Sequence, residues 1–405
     1  MIQIIFLVVM PSTHSTNESA DYATFYGPVA QNLLEGRGLT TSNGRIASDY
    51  PPGFPAYLAV HFYLADLFGW PRDSVIAVTN VILSSLSCVL AGLIAELLFG
   101  SDVSIISVFL WATYLFNLWL IKQPNSEVPF IFLFYLAIYF FVAGIVSTGL
   151  VRFGIVGFLC GIAALVRPIL LLFPFLLALL LFLRRDMKLS QRSRSAGLIV
   201  LGFLIVILPW EAKLGFSTGH LVPLSTNGPA SMLDGLTFAT KTGKGGDQAW
   251  VPTDVHALAQ RVRENQRSLR TTGEVIRFML LQARNDPSSV IQMGIVKTAR
   301  SWYGTNAMWH ERPVAIIQFV YLSLIVPGIW LAWRLFPAKR FFVVMLLAIM
   351  LYFWGMTIIA LSILRYMVPA IGLLLMFAAV SFDICRKRAG VRFWAETKSL
   401  GHNVQ

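Results

Sequence analysis

Charge is scarce in this 405-residue chain: Asp, Glu, Lys and Arg make up 13% of it, while 56% is hydrophobic. A soluble core cannot hide that much apolar sequence, so the surrounding medium has to be largely lipid. Cysteine is scarce too. Cys88, Cys160 and Cys385 lie in or beside apolar segments and share no short spacing, so no disulfide framework or thiolate metal site is indicated and they read as packing residues. His14, His61, His220, His256, His310 and His402 are scattered without a His-x-x-x-His pair, which leaves a zinc site unsupported. There is no internal repeat and no low-complexity tract.

What is present is a succession of apolar runs of helix-spanning length, expected to pack as one bundle rather than as a soluble domain on a single anchor. After the short run Met1–Met10 and a polar stretch over 11–73, such segments lie near 74–98, 103–121, 128–146, 150–166, 168–183 and 196–213. A long hydrophilic loop follows, and segments near 313–333, 341–361 and 363–382 close the chain. Counting the first short run, the expected architecture is an all-α integral membrane protein with about ten transmembrane helices. Three regions result: an N-terminal bundle over 1–213 that includes the first loop at 11–73, the long loop 214–312, and C-terminal helices with a tail over 313–405. The run Met1–Met10 lacks the basic flank and small-residue cleavage site of a signal peptide and reads as the remaining half of a first spanning helix.

Basic residues orient the spans. The net charge of +12 does not imply nucleic acid, because membrane proteins collect Lys and Arg at cytoplasmic helix ends. Arg184, Arg185, Lys188, Arg192 and Arg194, then Arg334, Lys339 and Arg340, then Arg386, Lys387, Arg388, Arg392 and Lys398 all fall on one face if spans alternate. Residues 11–73, 122–127, 214–312 and the turn from Ser362 to Arg365 then share the opposite, external face. This predicts a multi-pass inner-membrane protein with its hydrophilic loops outside. Within the long loop, Val255, Leu258, Val262, Leu269, Ile276 and Leu280 recur at helical spacing, which predicts one or two helices lying over the bundle.

The first loop carries the densest set of candidates. Asp21 heads a helical stretch through Gly36, and Pro51-Pro52-Gly53-Phe54-Pro55 makes a rigid turn before the aromatic segment Ala56–Trp70, which is suited to the membrane interface. Asp21 can be a helix N-cap or a catalytic carboxylate. Glu127, at an external span end, is either a functional acid or a first-turn acid that complements the helix dipole. Arg365, Arg167 and Arg45, and behind them Lys213, Lys241, Lys244 and Arg300, are either interfacial cations or an anion clamp. Thr226-Asn227-Gly228 reads as a tight turn with Gly228 at positive φ.

Taken together, Asp21-Tyr22, the stretch Ala30–Gly38 and Tyr50-Pro51-Pro52-Gly53-Phe54-Pro55 resemble the first luminal loop of membrane-embedded glycosyltransferases of the C-type fold. The nearest group is glycosyltransferase family 39, with its dolichyl-phosphate-mannose protein mannosyltransferases and lipid A aminoarabinose transferase. Asn125-Ser126-Glu127, Leu165-Val166-Arg167-Pro168, Leu208-Pro209-Trp210, Pro223–Gly228 and Arg365-Tyr366-Met367-Val368-Pro369 follow in the same order. The resemblance implies transfer of a sugar, with inversion, from a polyprenyl-phosphate carrier to an external lipid, glycan or protein. Asp21 would act as general base, and Arg365, Tyr366, Arg167, Arg45, Glu127 and Asn227 would contact substrate. Such a reaction requires no cofactor, although Glu18 beside Asp21 leaves a divalent metal ion as an option. Glu18 and Asp49 are alternative bases. One departure stands out: family members often carry a basic residue immediately before the Pro-Pro pair, where this chain has Asp49-Tyr50. A lipid-linked sugar transporter or flippase, or a catalytically inactive relative, is the competing expectation.

Overall fold

The computed structural model describes residues 2–9, 21–122, 124–147, 149–219, 222–241, 248–305 and 310–401. Glu18, His14, His220, Lys244 and His402 lie outside these. Among the described residues the chain is helical, and an isolated antiparallel bridge joins Thr40 to Ile46. In chain order the helices are α1 (Ile2–Val9), α2 (Gly27–Leu34), α3 (Gly53–Phe68), α4 (Arg72–Phe99), α5 (Ser101–Thr113) and α6 (Leu115–Ile121). They continue with α7 (Glu127–Ser147), α8 (Leu150–Val166), α9 (Phe173–Phe182) and α10 (Leu189–Thr218). The long loop holds α11 (Gly228–Thr237), α12 (Thr253–Asn265), α13 (Thr272–Asn285) and α14 (Pro287–Arg300), and α15 (Glu311–Leu335), α16 (Arg340–Ile359) and α17 (Leu364–Gly401) complete the bundle.

Every apolar run expected to be helical is helical, but they are not ten equal spans. Among the described residues six helices are long and apolar enough to cross a membrane, and seven if α5 and α6, bent by 56° at their junction, count as one span. The bend falls at Tyr114, whose backbone is extended (φ −63°, ψ 112°) and whose buried hydroxyl donates to Gln318 Oε1 at 2.9 Å. Helix α8 and the segment 168–182 are shorter apolar helices. Small residues let the spans approach closely. A Cβ on Gly157 of α8 would sit 2.0 Å from the carbonyl oxygen of Ile199 on α10, and one on Gly328 of α15 would sit 1.9 Å from that of Phe377 on α17.

The two ends of the bundle differ in charge. At one end Lys339 donates to Leu97 O at 3.0 Å, the Arg184 guanidinium lies 5.0 Å from the Phe341 ring, and Arg386 and Lys387 each pair with Asp102 at 3.0 Å. The basic clusters of three separate loops therefore meet on one face, as the alternation of spans requires. At the other end lie the starts of α7 and α17, the end of α8 and the long loop.

The loop has its own small core, with Leu236, Val255, Leu258, Val262, Val275, Met293 and Val296 buried between α11 and α14. The capping box of α13 joins Thr271 and Glu274, and Asp286 caps α14 through Ser289 N at 3.2 Å. The loop is seated on the bundle by Lys297, 4% exposed, whose Nζ donates to Ala360 O at 3.1 Å at the end of α16. Burial, with Arg300 nearby, pushes this ammonium from its ordinary 10.5 down to about 7. Between those values the unfolded chain binds a proton that the folded chain does not, so stability rises as pH increases from about 7 and the effect saturates above 10.5. In detergent, the thermal midpoint is expected to climb between pH 7 and pH 9.5 and to lose that slope in Lys297→Met. An identical slope in the variant would remove Lys297 as its source.

Candidate active site

A cavity of about 770 Å³ opens at the loop-bearing end of the bundle, lined among others by Asp21, Tyr26, Tyr50, Glu127, Arg167, Asn227, Arg270, Arg365 and Tyr366. Its floor is built where three apolar helices begin or end. Asn125-Ser126-Glu127 turns into α7 as Asn125 Nδ2 donates to Leu120 O at 3.0 Å and Asn125 Oδ1 accepts from Glu127 N at 3.1 Å. Arg167 has an extended backbone between α8 and Pro168, the expected conformation before proline. Arg365 stands in the first turn of α17.

Glu127 is 2% exposed, and its Oε1 meets both guanidiniums: Arg365 Nε at 2.7 Å and Arg167 Nη1 in direct contact. Arg167 also donates to Ser126 Oγ at 3.1 Å, and its guanidinium lies 4.9 Å from the Tyr366 ring. One buried carboxylate thus fixes two cations, whose side chains are 12% and 24% exposed toward the cavity, and the cluster keeps a surplus positive charge. That surplus, in a partly dry pocket, is suited to an anion.

Asp21 is no helix cap. Its own backbone is helical (φ −64°, ψ −32°), it leads a π-helical turn over Tyr22–Tyr26, and its side chain makes no capping bond. Its Oδ1 instead accepts from the Tyr50 hydroxyl at 3.0 Å. Burial and the neighbouring Asp21 charge push the Tyr50 phenol up, so it remains a protonated donor. Phe25, Tyr26, Tyr50 and Phe54 pack edge to face or tilted at 4.9–5.0 Å, which makes the wall behind this pair rigid.

The separated motifs touch. Gly53 lies against the backbone before Arg167, where an added Cβ would be 2.6 Å from Leu165 O, so the Pro-Pro-Gly turn seats directly on the Arg167 corner. Thr226 N donates to Ser48 O at 2.9 Å and Thr226 Oγ1 to Asp49 Oδ1 at 3.1 Å, joining the first loop to the strip before α11. The positive φ expected at Gly228 is found at Leu224 (φ 61°), because Gly228 already starts α11. Leu224 is held there by Trp210 Nε1 on its carbonyl at 2.9 Å and by Glu211 Oε1 on its N–H at 2.7 Å.

Among the candidates, Asp21, Glu127, Arg167, Asn227, Arg365 and Tyr366 come together and Arg45 does not. Arg45 is exposed in the turn that Thr41 N closes on its carbonyl at 2.8 Å, away from the cavity lining. Lys213 and Lys241 are also off the lining. Arg300 is consumed structurally, with Nη1 on Ser362 O at 3.1 Å and Nη2 on Glu311 Oε1 at 2.6 Å. Sequence reasoning missed Arg270 and the Tyr50 donor. Tyr50 was visible only as the residue standing where a cation was expected, and Arg270 is one Arg among several in an amphipathic stretch. Asp234 on α11 is a further carboxylate, held above its ordinary range by burial and by the nearby Asp21 charge. Among the described residues no three of His, Cys, Asp and Glu converge as metal ligands, and the Glu127 carboxylate is taken by two arginines; Glu18, the expected partner of Asp21 on a metal, lies outside the described residues.

The fold is one shared with the solved structures of ArnT and the oligosaccharyltransferase AglB. Residues 49–211 match the family model described as dolichyl-phosphate-mannose-protein mannosyltransferase. The structure is similar to ArnT from Cupriavidus metallidurans bound to undecaprenyl phosphate, with TM-score 0.54 and 15% identity over 94% of this chain and 59% of that one. It is similar also to the Archaeoglobus fulgidus oligosaccharyltransferase in the apo form, with TM-score 0.57 and 13% identity over 98% of this chain and 51% of that one. A third similarity is to the A. fulgidus oligosaccharyltransferase AglB in complex with an inhibitory peptide and a dolichol-phosphate, with TM-score 0.53 and 12% identity over 98% and 51%. The chain therefore spans between half and three fifths of the length of these structures. No curated protein sequence matches it.

Replacing Glu127 leaves two guanidiniums facing each other without their shared counter-ion. Glu127→Gln is expected to cost about 3 kcal/mol of stability, the low end for breaking a buried pair because both cations reach the cavity. The triple variant that also carries Arg167→Met and Arg365→Met recovers most of it. Chemical denaturation in detergent reads both, and a Glu127→Gln variant as stable as wild type contradicts the clamp.

Proposed function

We propose that this protein is a membrane glycosyltransferase that moves a sugar from a polyprenyl-phosphate carrier to an acceptor hydroxyl on the external side of the inner membrane. The observation that carries this reading is the placement of a carboxylate, Asp21, and a fixed guanidinium pair, Arg167 and Arg365, on the walls of one cavity at the ends of membrane spans. The bound molecules of two structurally similar proteins, undecaprenyl phosphate and dolichol-phosphate, are of the carrier class invoked here.

In the reaction, Asp21 takes the proton of the acceptor hydroxyl as its oxygen bonds to the anomeric carbon. The bond from that carbon to the carrier phosphate oxygen breaks on the opposite face, and the electron pair leaves with the phosphate. The configuration inverts. The departing group is a stable phosphate anion, so no second acid has to protonate it, in contrast to glycoside hydrolysis. Arg365 and Arg167 hold that anion, and Glu127 keeps them aimed at the cavity. The Tyr50 bond orients the Asp21 carboxylate and leaves its other oxygen free for the acceptor. Lipid, glycan and protein hydroxyls all fit the scheme as acceptors, and the scheme requires no cofactor.

Transfer from a labelled polyprenyl-phosphate sugar pool in membranes is expected to fall about 10²–10⁴-fold in Asp21→Asn, the range for loss of a general base. The variant should insert and remain folded as wild type does. A variant as active as wild type removes Asp21 from the chemistry. Wild-type protein that moves the carrier-linked sugar across the bilayer without transferring it supports a flippase instead.

A further inference from the structure

Helices α13 and α14 carry apolar side chains for which the protein core has no place. On α14, Ile291 and Ile295 are each 63% exposed, and on α13 Leu280 is 65% and Leu281 51% exposed. The α14 residues belong to one stripe: positions 291, 295, 298 and 302 are spaced i, i+4, i+7 and i+11. The far end of that stripe rests on a membrane span, since Trp354 Nε1 of α16 donates to Thr298 O at 3.1 Å and the Trp302 and Trp354 rings meet at 5.4 Å. Lys297 ties the same turn to the end of α16. The exposed isoleucines therefore continue a face that begins on α16, whose own Leu351 and Ile359 are 57% and 56% exposed.

Helix α13 adds charge to this surface. Arg277 and Arg284 are exposed beside Ile276, Leu280 and Leu281, while the acidic residues at its ends are engaged, Glu274 in the α13 capping box and Asp286 with Arg261 at 3.0 Å. Apolar side chains next to basic ones with no acid free between them suit a helix whose apolar side enters the acyl boundary while guanidiniums meet lipid phosphates. We propose that the α13–α14 hairpin is seated in the headgroup region of the leaflet on the Asp21 side and binds anionic lipid there. The N-terminus of α13, Thr272 and Gly273, with Arg270 before it, forms part of the cavity rim, so this seating sets the cavity mouth at the level of the lipid phosphates.

The surface can be read with nitroxide labels on Ile276→Cys, Leu280→Cys and Ile291→Cys in the full chain carrying Cys385→Ser, with Glu264→Cys on α12 as the solvent reference. The protein is reconstituted in vesicles of zwitterionic lipid with about a quarter anionic lipid. The three labels are expected to be several-fold less accessible to an aqueous nickel chelate than the reference label and more accessible to oxygen. Nickel accessibility equal to the reference, or exclusion of both relaxants as under a protein partner or a second copy, overturns the proposal. Arg277→Glu with Arg284→Glu should raise nickel accessibility at position 280, and no change there removes the anionic-lipid part. None of these readouts depends on sugar transfer.

Discussion

A carboxylate cannot stay charged at the floor of an apolar bundle without cations beside it, and most of the loop-side architecture follows from how Glu127 meets that requirement. Its partners come from positions about 40 and 240 residues further along the chain, Arg167 after α8 and Arg365 at the start of α17. Pairing them brings the ends of three apolar helices to one point. Both arginines also line the cavity, with side chains 12% and 24% exposed. The same constraint that stabilises the bundle leaves positive charge where an anion would bind.

Around that point the loops are held by contacts of a different kind. Gly53 permits backbone contact with Leu165, Thr226 bridges Ser48 and Asp49, and Trp210 with Glu211 holds Leu224 at positive φ. These are backbone satisfactions at the edge of lipid, where an unpaired N–H or C=O is costly. They explain why short motifs far apart in the chain recur as one assembly: each supplies the partner that another lacks. Tyr50 belongs to this set and gives the departure at the Pro-Pro pair a physical meaning, since a neutral donor to Asp21 occupies the place expected for a cation.

How much of this was legible in the sequence depends on the range of the interaction. Apolar runs locate helices because membrane insertion is decided segment by segment, and the bounds of α7 and α8 agree with expectation within a residue. Glu127, Arg167 and Arg365 were visible as ionisable residues at the ends of apolar segments, where any charge is conspicuous, and Asp21 as the head of a helical stretch in the first loop. Arg45 looked equivalent and is not, because a hairpin turn directs it to solvent. The break at Tyr114 was hidden inside an apolar run, and the partner of the Tyr114 hydroxyl, Gln318, lies two hundred residues away. Positive φ was expected at a glycine and occurs at Leu224, whose strain is offset by side chains from α10.

The sequence by itself determined the solvent of this protein, its helical class, the side on which its basic loops gather and a short set of charged residues. All of these are properties of composition and local spacing. Only the tertiary structure decided which charges share a carboxylate, that the Asp21 side chain takes its bond from Tyr50 rather than from a helix end, and that Arg270 reaches the cavity while Arg45 does not. Those outcomes turn on distances of a few ångströms between residues remote in the chain, and electrostatic and hydrogen-bond energies change over that scale in ways that no local pattern encodes.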